Sequence, residues 1–377
     1  MTGTSIDGMD LALVRVTGTG LAMRARLVGF RSAALGDLGP RLRAVAEGSR
    51  ATAAEFATLA LEFGELHARE LRALLDGAGV ERVDLVAAHG QTVFHQPPVS
   101  WQLLNAHPIA RALRCDVVHD LRGTDLAAGG QGAPLTPLAD WILYRAPHAR
   151  AVVNLGGFAN LTLLPPESEP SSDHPPVQAI RGRDVCACNQ LLDRAARRAI
   201  DQPFDRDGAI AASASPDADA ARDLRASLAP GQVGRSLGSG DEAFPWIDRH
   251  ADRLPPAVLL ATAAHAVGTI IGQALRGAGA GDVVVAGGGA RHRSLVQAIA
   301  EAAGVPVIDS GELGIPAAAR EAAGWAVLGI LAQDGVPVAL PTITGTPPDA
   351  HPERGPQRVH GSWIHASPTF LSSMNGA

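Results

Sequence analysis

The chain of 377 residues is 46% hydrophobic but only 4% aromatic, with a formal net charge of −6. This length exceeds one ordinary core and points to two domains, while the acidic balance offers nothing to nucleic acid or to an anionic membrane surface. Three cysteines suit a reducing cytoplasm better than a disulfide framework, and with no basic-then-apolar leader and no apolar run of about 18 residues, neither a secretory signal nor a membrane span is expected.

The sequence opens on MTGTSIDGMD, Met1 to Asp10. Gly3 and Gly8 let a backbone approach a ligand closely. Thr2, Thr4 and Ser5 supply hydroxyls, and consecutive N–H groups in such a turn cradle anions. Asp7 and Asp10 suit a Mg²⁺ held through water, since that ion keeps part of its hydration shell. A phosphate-binding hairpin and an ordinary glycine-rich surface turn both fit this stretch by itself. Alternation over 11–16 and 26–30 then predicts paired strands, and 52–77 carries apolar residues at helical spacing. A short strand at 85–88 ends on His89-Gly90-Gln91-Thr92. A helix at 109–114 and a strand at 117–119 follow, the strand ending on Asp120-Leu121-Arg122. Strands are expected at 151–154 and 161–164, a solvated loop at 165–176, and helices at 189–200 and 257–275. A buried strand at 283–286 runs into Gly287-Gly288-Gly289, with helices at 294–303 and 317–332. From 346 onward the tail reads as weakly structured or packed around Trp363. Strands that end on glycine and feed helices indicate an α/β fold with its chemistry at the strand ends.

Three loops and one carboxylate stand out. GGQGAPL (Gly129–Leu135) suits a hinge, an anion-binding wall or a plain linker. NLGGFAN (Asn154–Asn160) sets two amides and the pair Gly156-Gly157 after a strand, a shape for reading hydroxyls or phosphate, or simply a tight turn. GGGARH (Gly287–His292) looks like a nucleotide-facing turn opening a helix, whose N-terminus favours phosphate. Asp184, in RGRDVCACNQLLD, stands where a loop meets a helix and could be a general base or a helix cap. Cys186 and Cys188 lack a second pair for zinc. His89, His95, His107 and His119 fall on separate elements, and no GxSxG elbow is present.

Taken in order, MTGTSIDGMD, HGQTVFHQPP, DLRGTDLAAGGQGAPL, NLGGFANLT, DRDG, AGGGARHRSL and REAAGWAVLG resemble the motifs of anhydro-N-acetylmuramic acid kinases, from Met1 to about Gly345. The resemblance implies the actin-like ATPase (ribonuclease H-like) fold, two α/β domains around a nucleotide, with domain I at 1–124 completed by 340–377 and domain II at 125–339. It implies ATP and Mg²⁺ as cofactors, a homodimer, and a cytoplasmic role in peptidoglycan recycling. The implied reaction adds water to C1 of 1,6-anhydro-N-acetylmuramic acid, opens the bridge and phosphorylates O6. On that basis Asp184 is the catalytic base. Gly3, Thr4, Ser5, Asp7, Gly8 and Asp10 form the first phosphate loop, with Asp7 near the metal through water. Gly156, Gly157, Gly287, Gly288 and Gly289 face the nucleotide, and Thr92, Arg122, Asn154, Asn189 and Glu321 stand near the sugar.

Three departures from the family pattern qualify this. DVCACN at Asp184–Asn189 replaces the usual DTGPGN, removing a hydroxyl and two glycines beside the substrate. RSLGSGDEAF (Arg235–Phe244) replaces KSTGRE. Relatives also carry a short strand ahead of the first phosphate loop, which this sequence does not show before Met1. The altered loop leaves open a kinase for another 1,6-anhydro sugar such as levoglucosan. A non-catalytic nucleotide- and sugar-binding homologue is the reading from another class.

Overall fold

The computed structural model describes residues 1–3, 6, 8–167, 176–228, 243–347 and 360–366. They fall into two units: Met1–Leu143 with Glu321–Ala377, and Tyr144–Arg320.

In the first unit β1 (Met9–Thr17) and β2 (Arg24–Ala33) form an antiparallel hairpin. Both outrun the expected strands, because the ladder also pairs Met9, Asp10 and Thr17 with Ala33, Ser32 and Arg24. α1 (Leu38–Ala46) and α2 (Ala53–Ala78) follow. α2 starts at Thr52, whose hydroxyl accepts from Glu55 N–H while Glu55 accepts from Thr52 N–H, a reciprocal cap, and it stops at left-handed Gly79. Its Leu59, Phe63, Leu66 and Leu74 bury one stripe against Met9 and Leu11 of β1. Next come β3 (Leu85–Ala88), β4 (Gln91–Gln96), β5 (Val99–Leu103), α3 (His107–Leu113), β6 (Asp116–His119), α4 (Gly123–Ala127) and α5 (Thr136–Tyr144). The β4–β5 hairpin is absent from the sequence reading, because its Phe94, Val99 and Trp101 are exposed and no buried face marks the alternation. β3 and β6 are parallel.

The second unit is built on one mixed sheet. β7 (Arg150–Leu155), β8 (Phe158–Leu164) and β9 (Arg181–Ala187) form an antiparallel meander. They are followed by α6 (Asn189–Ile200), α7 (Ala218–Leu228), α8 (Phe244–Ala251) and α9 (Pro256–Arg276). β10 (Asp282–Ala286), α10 (Arg293–Ala303) and β11 (Val307–Asp309) then add parallel strands, giving the order β11-β10-β7-β8-β9. All five β10 residues are buried, as expected of a strand covered on both faces. α9 is long and apolar enough to cross a membrane by composition, yet 67% of its most apolar window is buried in this core. Its Gly268 and Gly272 let α10 approach closely: a Cβ there would stand 2.6 Å from Ala298 and 2.5 Å from Ala302.

The chain returns to the first unit through α11 (Arg320–Gln333), α12 (Pro341–Thr344) and β12 (Ser362–Ile364), the last antiparallel to β6 and carrying Trp363. These unit boundaries differ from the expected junctions at 124/125 and 339/340, for a local reason. Asp125 accepts hydrogen bonds from Thr344 (2.8 Å), Thr346 (2.6 Å) and Gly132 N–H (2.7 Å), which ties α4 and the glycine loop to the returning chain. On α11, Gly329 lies against Ala87 of β3.

Candidate active site

In the first unit the opening turn holds Ile6 N–H on the Gly3 carbonyl at 3.3 Å, and Ile6 takes φ 50°. Met1 and Asp10 exchange two backbone hydrogen bonds, of 2.6 and 2.8 Å. Thr4, Ser5 and Asp7 lie outside the described residues. Gly3 is exposed, Gly8 and the Asp10 side chain are half-buried, and a Cβ on Gly8 would meet the Ala33 carbonyl at 3.4 Å. Glu321, exposed in the first turn of α11, is close enough for its charge to act on the Met1 ammonium.

Behind this turn a polar cluster is buried at the ends of β3 and β6. His89 Nε2 lies 2.7 Å from Gln102 Nε2 and 3.4 Å from Arg122 NH2, and the His89 ring meets Trp325 edge-on at 4.6 Å. Thr92 is paired directly opposite Gln102 across the β4–β5 ladder. Burial and then the Arg122 charge push the His89 imidazole down to about 3. It therefore stays neutral at physiological pH and accepts at Nε2 from the two donors. Burial lowers Arg122 and raises Asp120, each moderated by the other's charge. Gln91 Oε1, Gln102 Oε1, Arg122 Nε and Trp325 Nε1 are buried without a hydrogen-bond partner among the described residues. Buried donors and acceptors left open in this way are positions where a polar ligand or a water can be held. Sequence reasoning placed Thr92 and Arg122 near a sugar but missed His89, Gln91, Gln102 and Trp325. For three of them the signal was available: His89 and Gln91 lie in HGQTVFH and Trp325 in REAAGWAVLG, while Gln102 joins them only through the β4–β5 pairing.

In the second unit the sheet register lines up four residues, one per strand. Ala286 pairs with Asn154, Asn154 with Asn160, and Asn160 with Asp184. Directly paired residues project from the same face. Asp184 thus stands in a row with two amides, exposed, and no hydrogen bond or ion pair engages its carboxylate among the described residues. It lies within β9 and caps nothing. The polar run Arg181 to Asp184 is exposed and hides the strand from pattern reading.

The two glycine loops serve different ends. Gly156 and Gly157 turn their carbonyls onto the start of α6, accepting from the N–H groups of Cys188 (2.8 Å), Asn189 (3.0 Å) and Gln190 (3.2 Å). That end of α6 is therefore satisfied by protein and presents no phosphate nest. Asn189 Nδ2 donates to the Leu155 carbonyl at 2.9 Å, which orients its amide beside Gly288 and Gly289. A Cβ on Gly287, which has φ +84°, would stand 2.6 Å from Asn154 Oδ1, and one on Gly289 would stand 2.7 Å from Asn189 Oδ1. The structure thus gathers Asn154, Asn189 and Gly287 to Gly289 into one cradle. His292 caps α10 by accepting from Leu295 N–H, and Gly208 of the DRDG segment packs on its ring. GGQGAPL is a strap and no anion wall: the N–H groups of Gly130, Gln131 and Gly132 donate to Asp125 and Thr344.

Gly287→Ala combines a strained φ with a clash, so we expect a loss of about 1–3 kcal/mol of stability together with weaker ATP binding. Thermal melts and calorimetric titration measure both. Gly157→Ala, where a Cβ meets nothing within 4 Å, is the control expected to behave as wild type.

A model of the anhydro-N-acetylmuramic acid kinase family matches residues 1–351. The chain belongs to this family. The anhydro-N-acetylmuramic acid kinase of Bordetella pertussis is 38% identical over 358 residues, covering 92% of this chain and 91% of that one. The Salinibacter ruber protein of the same name is 34% identical, covering 92% of each. Among solved structures, component A of the Acidaminococcus fermentans (R)-2-hydroxyglutaryl-CoA dehydratase is 15% identical. It covers 85% of this chain and 98% of that one, with a TM-score of 0.40. Membership makes the protein an anhydro-N-acetylmuramic acid kinase homologue, and hence a phosphotransferase, built from two mixed α/β units. The departure at DVCACN is smaller than it reads. Val185, Cys186 and Cys188 are buried in the core of the second unit, and burial pushes the Cys186 thiol up to about 12. Residues 235–242 of the other departure lie outside the described residues.

Proposed function

We propose that the protein opens 1,6-anhydro-N-acetylmuramic acid with water and phosphorylates O6, yielding N-acetylmuramic acid 6-phosphate. The observation that carries this is the unpaired Asp184 carboxylate at the end of the Asn154–Asn160 row. No hydrogen bond or ion pair occupies its oxygens among the described residues, so they are open to accept from a water. In this reading Asp184 takes a proton from the water whose oxygen bonds to C1. The C1–O6 bond breaks, O6 attacks the γ-phosphorus, and ADP leaves. The first unit supplies sugar contacts through Thr92, Arg122, His89 and Gln102, with Glu321 on α11, and the first phosphate loop at Gly3 to Asp10. The second supplies the base, with Asn154 and Asn189 beside the reacting groups. Gly287 to Gly289 form a cradle that a Cβ would fill, which fits a nucleotide pressed against backbone. No group of three His, Cys, Asp or Glu suited to a metal occurs among the described residues. Mg²⁺ would be held with the nucleotide phosphates by Asp7 or Asp10 acting through water, and would neutralise phosphate charge. A cytoplasmic homodimer acting in peptidoglycan recycling, without nucleic-acid or membrane partners, completes the reading.

The burial of Val185, Cys186 and Cys188 removes the reason to prefer another anhydro sugar, since these side chains point into the core. The test is ATP consumption with anhydro-N-acetylmuramic acid and levoglucosan in parallel. Turnover with the amino sugar and little with levoglucosan is expected. The reverse preference, or none with either sugar, overturns the reading.

A further inference from the structure

The DRDG segment takes no part in the proposed reaction, yet it reaches the glycine cradle through one side chain. Asp205 is buried, and its carboxylate accepts from the N–H groups of Ile210 (3.0 Å) and Ala211 (2.8 Å). Those bonds hold a tight turn in which Asp207 and Gly208 take φ 55° and 63°. At Gly208 the turn presses on the imidazole of His292: a Cβ there would stand 2.4 Å from Nδ1 and 2.7 Å from Cε1. Glycine alone combines that backbone conformation with so close an approach to a ring.

On its other side His292 belongs to the cradle. Its N–H donates to the Gly289 carbonyl at 3.0 Å, and Ala290 N–H donates to the Gly287 carbonyl at 3.1 Å. Nδ1 accepts from Leu295 N–H at 3.3 Å, while the His292 carbonyl accepts from Val296 N–H at 3.1 Å. The half-buried ring is thus wedged between a fixed turn and the first turn of α10, and its backbone closes the glycine loop. Nδ1 can accept only in a neutral ring that carries its proton on Nε2. An imidazolium would lose that bond and set a positive charge at the positive end of the helix.

We propose that His292 is the positioning residue of the nucleotide cradle, its neutral ring locking the Gly287–Gly289 backbone against the DRDG turn so that ATP affinity falls when the ring is protonated. This rests on the reading that the cradle holds ATP. Burial holds the imidazole below its usual range, outweighing the Asp205 charge that raises it. Among the described residues Asp205 is the charged group that acts on the ring, and the flanking Arg291 and Arg293 are exposed. The lock is accordingly complete above the ordinary imidazole value of about 6.5 and is lost as pH falls through the lower folded value.

The experiment titrates MgATP calorimetrically at pH 8 and pH 5.5 into wild type, His292→Asn and His292→Leu. Asparagine keeps an acceptor for the helix end but does not titrate. Variant and wild type are compared at each pH, which cancels protonation of the nucleotide. At pH 8 His292→Asn is expected within about twofold of wild type, and His292→Leu to bind about fivefold more weakly, as a lost cap implies. At pH 5.5 His292→Asn is expected to bind several-fold more tightly than wild type, a comparison that stands even if the leucine variant does not fold. Wild-type affinity in His292→Leu, or the same acid loss in His292→Asn as in wild type, overturns the proposal. If Gly287→Ala leaves ATP affinity unchanged, it is the nucleotide reading of the cradle that fails. The lock is then read from amide exchange at Ala290 without nucleotide, which His292→Leu is expected to speed about tenfold. Unchanged exchange there overturns it.

Discussion

Asp184→Asn is expected to stop ring opening and phosphorylation together, with turnover falling by about 10²–10⁴, the usual share of a general base. The amide keeps the shape and the place in the Asn154–Asn160 row but cannot take a proton from water at neutral pH. Because the Gly287–Gly289 cradle lies across the sheet beside Asn154, ATP affinity should stay near wild type. Coupled ATP-consumption kinetics measure the first effect and calorimetric titration the second. Turnover within a few-fold of wild type would remove Asp184 from the role. Parallel loss of ATP binding would mean the substitution had disturbed the sheet.

Arg150→Met is expected to cost about 3–5 kcal/mol at pH 7, the penalty for stranding one member of a buried ion pair. The Arg150 fork grips Asp282 through Nε (2.7 Å) and NH2 (2.6 Å), while NH1 donates to the Tyr144 carbonyl at 2.8 Å. The pair bridges the parallel β7 and β10 at the end opposite the glycine cradle. Burial pushes the Asp282 carboxyl up, but hydrogen bonds and charges from Arg150 and His148 outweigh this and hold it below the usual carboxylate range. Its contribution is therefore complete above the unfolded value of about 3.9 and is lost as pH falls through the lower folded value. The gap between variant and wild type should accordingly narrow in acid. Urea denaturation at pH 7 and near pH 3 measures both values. A neutral-pH loss below about 1 kcal/mol would show that the pair contributes no more than a surface bridge.

Several residues of the candidate site stand out in the sequence by local pattern alone. Gly287 to Gly289 after a buried strand, the two amides of NLGGFAN, and Asp184 before Asn189 are local signals, because a strand end and the turn after it lie within a few residues. β10 and the α2 helix were legible for the same reason, one as an unbroken apolar run and the other as a stripe at helical spacing between a capping threonine and a glycine. β9 was not: its exposed polar half, Arg181 to Asp184, becomes a strand only through pairing with β8. Nor was the purpose of the glycine loops, since Gly156 and Gly157 cap a helix and Gly130 to Gly132 strap Asp125 to a segment more than 200 residues away.

The opening decapeptide divides the same way. By itself the sequence determined the family, through seven motifs in order, and with it the two-domain kinase fold. Local chemistry was enough, because glycine, amide and carboxylate types record what each strand end must contact. Only the tertiary structure decided that His89, Gln102, Arg122 and Trp325 form one buried polar cluster, and that Asp184 stands in register with Asn160 and Asn154. Both depend on which distant strands and helices lie side by side, a property set by packing and hydrogen-bond closure and carried by no single segment.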